Sequence, residues 1–430
     1  MSSDLLYWIW LSQRLGHGSS VLPDLVARFS SAYEIYRATD EEIMGFDTDG
    51  REDLSSLTDK NLDDAHRVAE YCFTHKIGTL VYDSPEYPSM LRNIQSPPAV
   101  LYYRGRLPEF EKRPCIAVVG TRKMSEYGRD SAYKIAYELS ASGAITVSGM
   151  ALGVDAMVAC GSLSAGKPTV AVLGCGVDRV YPAKHRILME KIIKKGCVIS
   201  EYAPGTEPVG SNFPVRNRII SGLCKGTLVI EADEFSGALI TAKNAILQGR
   251  DIFALPGNVN SPNSRGPNNL IMEGARPVTC ANDILRIYRG MYGIIIKITN
   301  EGLGSRSDFR PSCAKSCGLG YAVNDVMPAP TNGAQAVSYE EPKPVQEKKE
   351  EGTVHAESEK KPDRAEENPA LAALDEQTRA VYNALGDGSG KRVEALAATG
   401  IPVGRIMASL TMLEISGLVE QKPGGAYAKK

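Results

Sequence analysis

The sequence predicts an α/β protein with a doubly wound parallel sheet at its centre, a helical region before it and a winged-helix-like region after it. Between residues 113 and 290, short continuous apolar runs alternate with amphipathic helical stretches, and continuous runs are typical of strands buried on both faces. Residues 369–430 carry three helical patterns followed by a hairpin pattern. At 430 residues, the chain is also too long for one compact domain.

Residues 1–110 have apolar side chains at helical spacing, beginning with Leu5 and Trp8 and resuming at Val21 after the turn Leu15–Gly18. Thr39–Glu42 is typical of a helix start, with acidic groups in its first turn. Two interpretations are open. The region is either a helix-hairpin-helix or SAM-like module that presents backbone N–H groups to a phosphate, or a small helical packing domain.

Six apolar runs in the region 113–290 predict strands, and the segments between them predict helices, as at 130–142 and 183–195. This alternation indicates a doubly wound fold. The predicted strands are 116–119, 144–147, 169–173, 198–199, 227–230 and 251–255.

The chain loses its periodicity over 291–368. The 28 residues 340–367 include 10 acidic and 6 basic side chains and no Leu, Ile or Phe, which predicts a disordered linker. Order is expected to return in the winged-helix-like region 369–430. Its third helix, 402–416, has Arg405 as its one cation, so a protein contact or simple packing is favoured over direct reading of DNA bases.

Several classes of protein are excluded by absent patterns. No apolar run approaches the roughly 20 residues that span a bilayer, and the nine Cys are odd in number and lie partly in apolar runs, which favours a reducing cytoplasm. Dinucleotide, P-loop, zinc-protease and nucleophile-elbow motifs are missing, so no cofactor is predicted. Asp155, Glu201 and Glu231 could converge in an acid/base enzyme, but acids in glycine loops more often cap helices or hold loops, and no catalytic residue is predicted. Cys313 and Cys317 lack a second pair, and no metal is predicted.

The net charge of −2 hides an asymmetry. Residues 113–289 contain 21 basic and 14 acidic side chains, a net of +7, so the remainder carries −9. A basic centre between acidic flanks indicates a polyanionic partner.

Glycine-rich loops follow most of the predicted strands. Ligands bind outside the carboxyl ends of parallel strands, and Gly permits close backbone approach while helix N-termini present N–H groups to anions. The alternative is that these glycines only form tight turns. The loops predict phosphate cups at Gly120, Thr121, Ser148, Gly149, Gly153, Gly174, Gly176, Ser236 and Gly237.

The segment 211–222 mixes cations with an aromatic ring just before an apolar helix. Single-stranded nucleic acid needs both, since cations bind phosphates and a flat ring stacks on bases. The alternative is a surface ion-pair loop with Phe213 turned inward. Arg265 follows the last predicted strand and could extend the same strand-binding surface. Lys243 is a weaker candidate for contact with the nucleic acid. The predicted DNA-binding residues are Arg122, Asn212, Phe213, Arg216, Asn217, Arg218, Lys243 and Arg265.

Taken in series, these motifs closely resemble the DNA-processing protein A (DprA/Smf) family of bacteria. The resemblance is carried by 120–122, 148–155, 171–182, 200–205, 212–218, 236–242 and 264–266. It implies an extended Rossmann-like core that binds single-stranded DNA without sequence preference. It also implies a homodimer that loads the RecA recombinase during natural transformation, displaces single-strand-binding protein and protects the incoming DNA.

By motif, the resemblance assigns strand contact to Arg122 and to Asn212, Phe213, Arg216, Asn217 and Arg218, with Arg265 added. Two positions depart from the family. Thr121 stands where Ser is common, and Ala159–Cys160 stand where a His-Arg pair is common.

Two other functions stay open at this point. The core also distantly resembles Rossmann-like nucleotide phosphoribohydrolases, which are enzymes, although Glu231–Gly237 differs from their glycine-rich loop. A regulatory adaptor dominated by the winged helix is the third hypothesis. The main prediction is the function that the resemblance implies, a non-enzymatic mediator of recombination.

Overall fold

A computed structural model describes residues 3–48 and 50–293, and in the C-terminal region 376–385, 391–392, 396, 406, 409–410, 413–414, 418–422 and 426–429. The described residues belong to two units: a large one of residues 3–48 and 53–293, and a small one of the C-terminal residues from 376 onward, with which residues 50–52 are grouped. The linker predicted at 291–368 lies outside the described residues except for its first three, and so do Cys313, Cys317 and Arg405.

The large unit begins with five helices and a 3₁₀ turn at Ser55–Thr58. At Thr39 the predicted helix start is confirmed, because the Thr39 hydroxyl accepts from the backbone N–H of Glu42 while the Glu42 carboxylate accepts from the N–H of Thr39. The helices are α1 (Ser3–Leu15), α2 (Leu22–Phe29), α3 (Ala32–Arg37), α4 (Asp40–Met44) and α5 (Asp63–Thr74).

A nine-stranded sheet forms the centre of this unit. Its strands are β1 (Gly78–Val81), β2 (Val100–Gly105), β3 (Cys115–Val119), β4 (Ile145–Ser148), β5 (Thr169–Val172), β6 (Cys197–Ser200), β7 (Gly226–Val229), β8 (Asp251–Ala254) and β9 (Arg276–Pro277). The spatial order is β1-β2-β6-β5-β4-β3-β7-β8-β9. Strands β3 to β9 are parallel, whereas β2 runs antiparallel to both β6 and β1.

Helices cover both faces of the sheet. They are α6 (Ser89–Arg92), α7 (Glu126–Ala141), α8 (Val154–Ser164), α9 (Arg186–Lys195), α10 (Asn212–Gly222), α11 (Gly237–Leu247), α12 (Pro262–Met272) and α13 (Ala281–Tyr292). Alternate residues of β3 enter different cores: Ile116 and Val118 pack with α7 and α8, and Ala117 and Val119 pack with α10 and α11. The predicted doubly wound sheet and its six strands are confirmed.

The structure differs from the sequence prediction within residues 1–110. There β1 and β2 join the sheet, although that stretch has a mainly helical pattern. Val100–Tyr103 of β2 is a continuous apolar run, and β1 has the same four residue types as β7, so the local pattern does not set them apart from the central strands. They lie outside the strand–helix alternation by which the six strands were predicted, and β2 pairs antiparallel with β6, which is far away in sequence. The N-terminal helices also share one core with the sheet, since Trp8 and Trp10 pack in the same cluster as Ile116.

The chain reverses direction across the sheet at β3. After β3 it builds β4, β5 and β6 on one side, then returns to place β7 on the other. At such a switch point the loops at the carboxyl ends of neighbouring strands diverge and leave a crevice. The order of the strands therefore places a crevice beside the carboxyl ends of β3 and β7.

The small unit contains α14 (Glu376–Ala384) and a three-stranded antiparallel sheet. Its strands are β10 (Lys391–Arg392), β11 (Val419–Lys422) and β12 (Ala426–Lys429), in the order β10-β12-β11. Strands β11 and β12 form the hairpin that the sequence predicts. Val381, Leu410 and Tyr427 belong to the apolar core of this unit.

Across the described residues, no helix has the length and apolar character needed to cross a membrane. The same residues include no group of three or more His, Cys, Asp or Glu side chains placed to hold a metal ion.

Candidate nucleic-acid interface

A cleft of about 620 Å³ opens at the carboxyl edge of the sheet, where the strand order predicts a crevice. The loop after β3, residues 120–123, forms one wall, and the loop after β7 with the start of α11 forms the other. Residues ahead of α10 and in its first two turns, with Tyr181 from the long loop after β5, complete the lining.

Three helices begin at this cleft. The first turns of α8, α10 and α11 contribute Asp155, Phe213 and Ala238 to the lining. Helix N-termini carry partial positive charge and N–H groups that have no partner within the helix. At α11, the Ser236 hydroxyl caps one of these groups by accepting from the N–H of Ala238 at 3.3 Å. The convergence of the three helices favours an anionic ligand.

Phe213 lies in the cleft close to two guanidinium groups. The Cζ atoms of Arg122 and Arg216 lie 5.8 and 5.7 Å from the centre of its ring, within the range of cation–π attraction. The Tyr181 ring centre is 5.3 Å away. On another side the ring rests against Gly174, where an added Cβ would lie 2.9 Å from a ring carbon. The cleft therefore presents a fixed aromatic surface among cations.

Arg216 forms part of the floor of the cleft and is only 4% exposed. Its guanidinium donates to the carbonyl of Gly149 at 3.0 Å, to the carbonyl of Val172, and to the Asn217 side-chain oxygen at 3.2 Å. Burial lowers the pKa of Arg216 to about 10, while nearby Asp155 opposes that shift. Arg216 is thus charged at neutral pH, and its Nε and Nη1 donate to acceptors inside the protein.

Arg218 is committed to a buried ion pair. Its Nη2 lies 2.6 Å from the Glu201 carboxylate, the two side chains are 11% and 4% exposed, and its Nε donates to the carbonyl of Ser96 at 2.9 Å. Asn217 donates to the carbonyl of Gly237 at 3.3 Å, and Asn212 to that of Gly174 at 3.1 Å. Of the five residues predicted from segment 211–222, the structure brings Phe213, Arg216 and Asn217 to the cleft lining.

The exposed cations lie around the rim. Arg122 is exposed and lines the cleft, and so does Lys123, which the sequence prediction missed although it follows Arg122 in the same loop. Lys243 is exposed on α11 outside the lining. Arg265, on α12, is 57% exposed and pairs with Glu234 at 3.7 Å.

The predicted phosphate-cup residues divide into two groups. Gly120, Thr121, Ser236 and Gly237 line the cleft. The other five shape its walls: the Ser148 hydroxyl donates to the carbonyl of Val118, the N–H of Gly176 donates to that of Thr206, and Gly153 has a φ of +78° that favours glycine. Gly149 and Gly174 leave room for Arg216 and Phe213, respectively.

Glu231 lies behind the wall formed by the loop after β3. Its carboxylate accepts from the N–H of Ser125 at 2.8 Å and also contacts the Ser125 hydroxyl, and it borders a separate pocket of about 460 Å³ with Tyr127. Ser125 is the N-cap of α7. Glu231 therefore anchors the start of a helix and is directed away from the large cleft.

Comparison with known proteins agrees with this architecture. Residues 78–289 match the family model described as DNA recombination-mediator protein A, and residues 365–425 match the DprA winged helix domain. The chain is 33% identical over 439 residues to the protein Smf of Synechocystis sp., covering the full length of both chains. It is 40% identical over 224 residues to the DNA processing protein DprA of Streptococcus pneumoniae, covering 52% of this chain and 78% of that relative.

The fold comparison gives the same result. The X-ray structure of DNA processing protein A from Streptococcus pneumoniae superposes with a TM-score of 0.57 at 33% identity, covering 65% of this chain and 97% of that one. The likeness therefore extends over the core, the winged-helix region and, in the cyanobacterial relative, the whole length. The chain belongs to the DNA-processing protein A (DprA/Smf) family.

Proposed function

We propose that this protein binds single-stranded DNA without sequence preference in the cleft at the carboxyl edge of the sheet. The observation that carries the proposal is the placement of the Phe213 ring beside Arg122, at a cleft where three helices begin. An unpaired base has a free face to stack on the ring, whereas the bases of a duplex are stacked on one another. Since every base has such a face, the contact is tolerant of sequence.

The DNA-processing role has support from the family membership and the two matching family models. On the same support we propose that the protein is a cytoplasmic homodimer that acts in recombination and natural transformation, loads RecA onto incoming strands, displaces single-strand-binding protein and protects the DNA from nucleases. The homodimer, RecA and single-strand-binding protein are proposed from the family resemblance alone. The cleft geometry supports only the binding of DNA.

We propose a binding protein and not an enzyme. The alternative, a nucleotide phosphoribohydrolase, needs a carboxylate facing the nucleotide, and Glu231 is held by Ser125 in a separate pocket. The two carboxylates that line the cleft are used within the protein, since Asp155 accepts the N–H groups of Gly149 and Ala151, and Asp233 accepts that of Phe235. Incubation with nucleoside monophosphates separates the two functions. Release of free base by the purified protein would favour the enzyme.

The test of strand binding is the affinity for oligo-dT as a function of salt. Each phosphate neutralised on a single strand contributes about −0.7 to the slope of log affinity against log salt. We expect Arg122→Ala to weaken binding and to reduce the slope by about that amount. Lys194→Ala is the matched control, because Lys194 is exposed near the end of α9, which leads into the amino end of β6 on the opposite edge of the sheet. Equal affinities for Arg122→Ala and the wild type would overturn the assignment of the cleft.

A further inference from the structure

We propose that Phe235 is a second base-stacking surface, outside the cleft, over which the strand continues toward Arg265. This inference rests on the proposed function and deepens it. Phe235 is 82% exposed and occupies the loop between β7 and α11. Its loop neighbours Asp233 and Ser236 both line the cleft, so the ring lies at the point where a strand would leave it.

The loop that carries Phe235 is held rigidly. The Asp233 carboxylate accepts from the N–H of Phe235 at 3.0 Å, and the Asp233 carbonyl accepts from the N–H of Ser236 at 3.2 Å. Ala232, just before, donates to the carbonyl of Asn263 at 2.8 Å and accepts from the N–H of Gly266 at 3.0 Å. Because these hydrogen bonds hold the backbone on both sides of Phe235, only its side chain has to be ordered when a base stacks on the ring.

Two exposed cations are connected to this loop through α12. Lys123 is exposed at the facing wall of the cleft, and the Asn263 side chain donates to the Lys123 carbonyl at 2.9 Å, which ties that wall to α12. Arg265, two residues further along α12, is 57% exposed. An exposed ring with cations in the neighbouring segments is the mixture that single-stranded nucleic acid needs.

The acidic groups beside Phe235 are both engaged. Asp233 accepts the N–H of Phe235, and Glu234 lies 3.7 Å from the Arg265 guanidinium. Phosphates arriving at Arg265 would compete with the Glu234 carboxylate, which is 46% exposed and free to turn to solvent. The Glu234 carboxylate therefore neutralises part of the charge of Arg265 until a bound strand displaces it.

The test uses a tryptophan reporter in the full chain. The protein has two tryptophans, Trp8 and Trp10, which are 1% and 0% exposed, so both stay a constant background. We expect the fluorescence of Phe235→Trp to be quenched by an oligo-dT of about twenty nucleotides, and to be unchanged by one of about five that fills only the cleft. Phe73→Trp is the matched control, because Phe73 is 76% exposed on α5 and does not line the cleft.

The affinity of Phe235→Ala is the second measurement. We expect it to fall about fivefold or more for the long strand, the low end of the contribution of one stacked base, and to stay unchanged for the short one. Phe213→Ala should lose affinity for both lengths.

The outcomes separate the two proposals. If the wild type binds the long strand, and Phe213→Ala weakens it, but neither Phe235 variant responds, the second stacking surface is wrong while the cleft stands. If the wild type binds no oligo-dT at low salt, both proposals fail. A changed oligomeric state of Phe235→Ala with unchanged affinity for the long strand would place the ring in a protein interface and would also overturn the inference.

Discussion

The buried guanidinium of Arg216 connects three segments that are far apart in sequence. It holds the carbonyls of Gly149 and Val172, and Phe213 lies next to it one helical turn earlier on α10. Asp155 accepts the N–H groups of Gly149 and Ala151 nearby, and burial raises the pKa of its carboxyl while Arg216 opposes that shift. Arg216 thus stabilises the floor on which the exposed residues of the cleft stand.

This placement leads us to expect that Arg216→Ala is primarily a folding defect. Removing the guanidinium leaves the two carbonyls without their donor and Asp155 without a counter-charge, which costs about 3–5 kcal/mol of unfolding free energy. Arg122→Ala, at an exposed site, should change it by less than about 0.5 kcal/mol. Urea denaturation of both variants checks this expectation. A fully stable Arg216→Ala that has lost only its DNA affinity would contradict it.

His185 gives a pH dependence at the residue scale. It is fully buried, and its Nδ1 lies 3.0 Å from the carbonyl of Met150, a non-glycine residue at a φ of +54°. Burial lowers the pKa of His185, although the Met150 carbonyl and Asp155 both act to raise it. The unfolded chain therefore takes up a proton at a higher pH than the folded one, and the folded state loses stability as pH falls below about 6.5.

We expect His185→Asn to lack that part of the pH dependence, because an amide does not titrate in this range. Urea midpoints between pH 8 and pH 5 for the wild type and the variant are the measurement. His66→Asn, which removes an exposed histidine on α5, is the control for the loss of a histidine at a site that is not buried. Parallel curves for His185→Asn and the wild type would show that the buried imidazole does not contribute.

Residue type alone could not separate the cations of segment 211–222. The sequence predicted a strand-contacting set just before a helix, but α10 begins at Asn212 itself. Helical geometry turns Arg216 and Arg218 toward different neighbours, and each finds acceptors that lie far away in sequence, in the loops after β4 and β6 and at Ser96. These partners are set by the tertiary fold, so no local pattern reveals them.

At the scale of elements, the six central strands could be predicted because burial on both faces makes them continuous apolar runs. The strand β9 has two exposed residues, Arg276 and Pro277, and has no such signal. The order of the strands, and hence the position of the crevice, depends on pairings between distant segments. The sequence did predict that glycine loops and an arginine follow the strands, and four of the nine loop residues line the cleft.

The contact between the loop after β5 and helix α10 leads to an expectation of its own. Because a Cβ at Gly174 would lie 2.9 Å from the Phe213 ring, we expect Gly174→Ala to displace the ring and weaken oligo-dT binding with little loss of stability. Gly166→Ala is a poor control, since Gly166 has a φ of +68°. Gly290→Ala on α13 is better matched, because nothing lies within 4 Å of a Cβ there and Gly290 does not line the cleft. Unchanged affinity in Gly174→Ala would mean that the orientation of the ring is unimportant.

At the scale of the whole molecule, the sequence suggests that residues 113–290 form a separable core, and the structure argues against isolating them. The N-terminal helices share an apolar cluster with the sheet, and β1 and β2 extend the sheet beside β6. We expect the fragment 113–290 to be aggregation-prone, because cutting before β3 exposes that cluster and the edge of β6. The fragment 1–293 should fold with a single cooperative transition.

Strand binding is expected to follow the large unit. The fragment 1–293 keeps every cleft-lining residue that the structure describes, so its affinity for oligo-dT should lie within about threefold of that of the full chain. Calorimetry of the fragments 113–290 and 1–293 checks how each of them folds. The oligo-dT affinity of 1–293, compared with that of the full chain, checks the expectation on binding. A loss of affinity in a well-folded 1–293 would mean that the C-terminal residues take part in holding the strand.

The Arg122 guanidinium, which lies over the Phe213 ring in the free protein, occupies space that an incoming base needs. On the proposed function, a base that stacks on the ring would displace the guanidinium, which we expect to pair with a neighbouring phosphate of the strand. Stacking of the base on Phe213 and ion pairing of Arg122 with the phosphate are in that case coupled. The loss of binding free energy in the double variant of Arg122→Ala and Phe213→Ala should therefore be smaller than the sum of the losses in the two single variants.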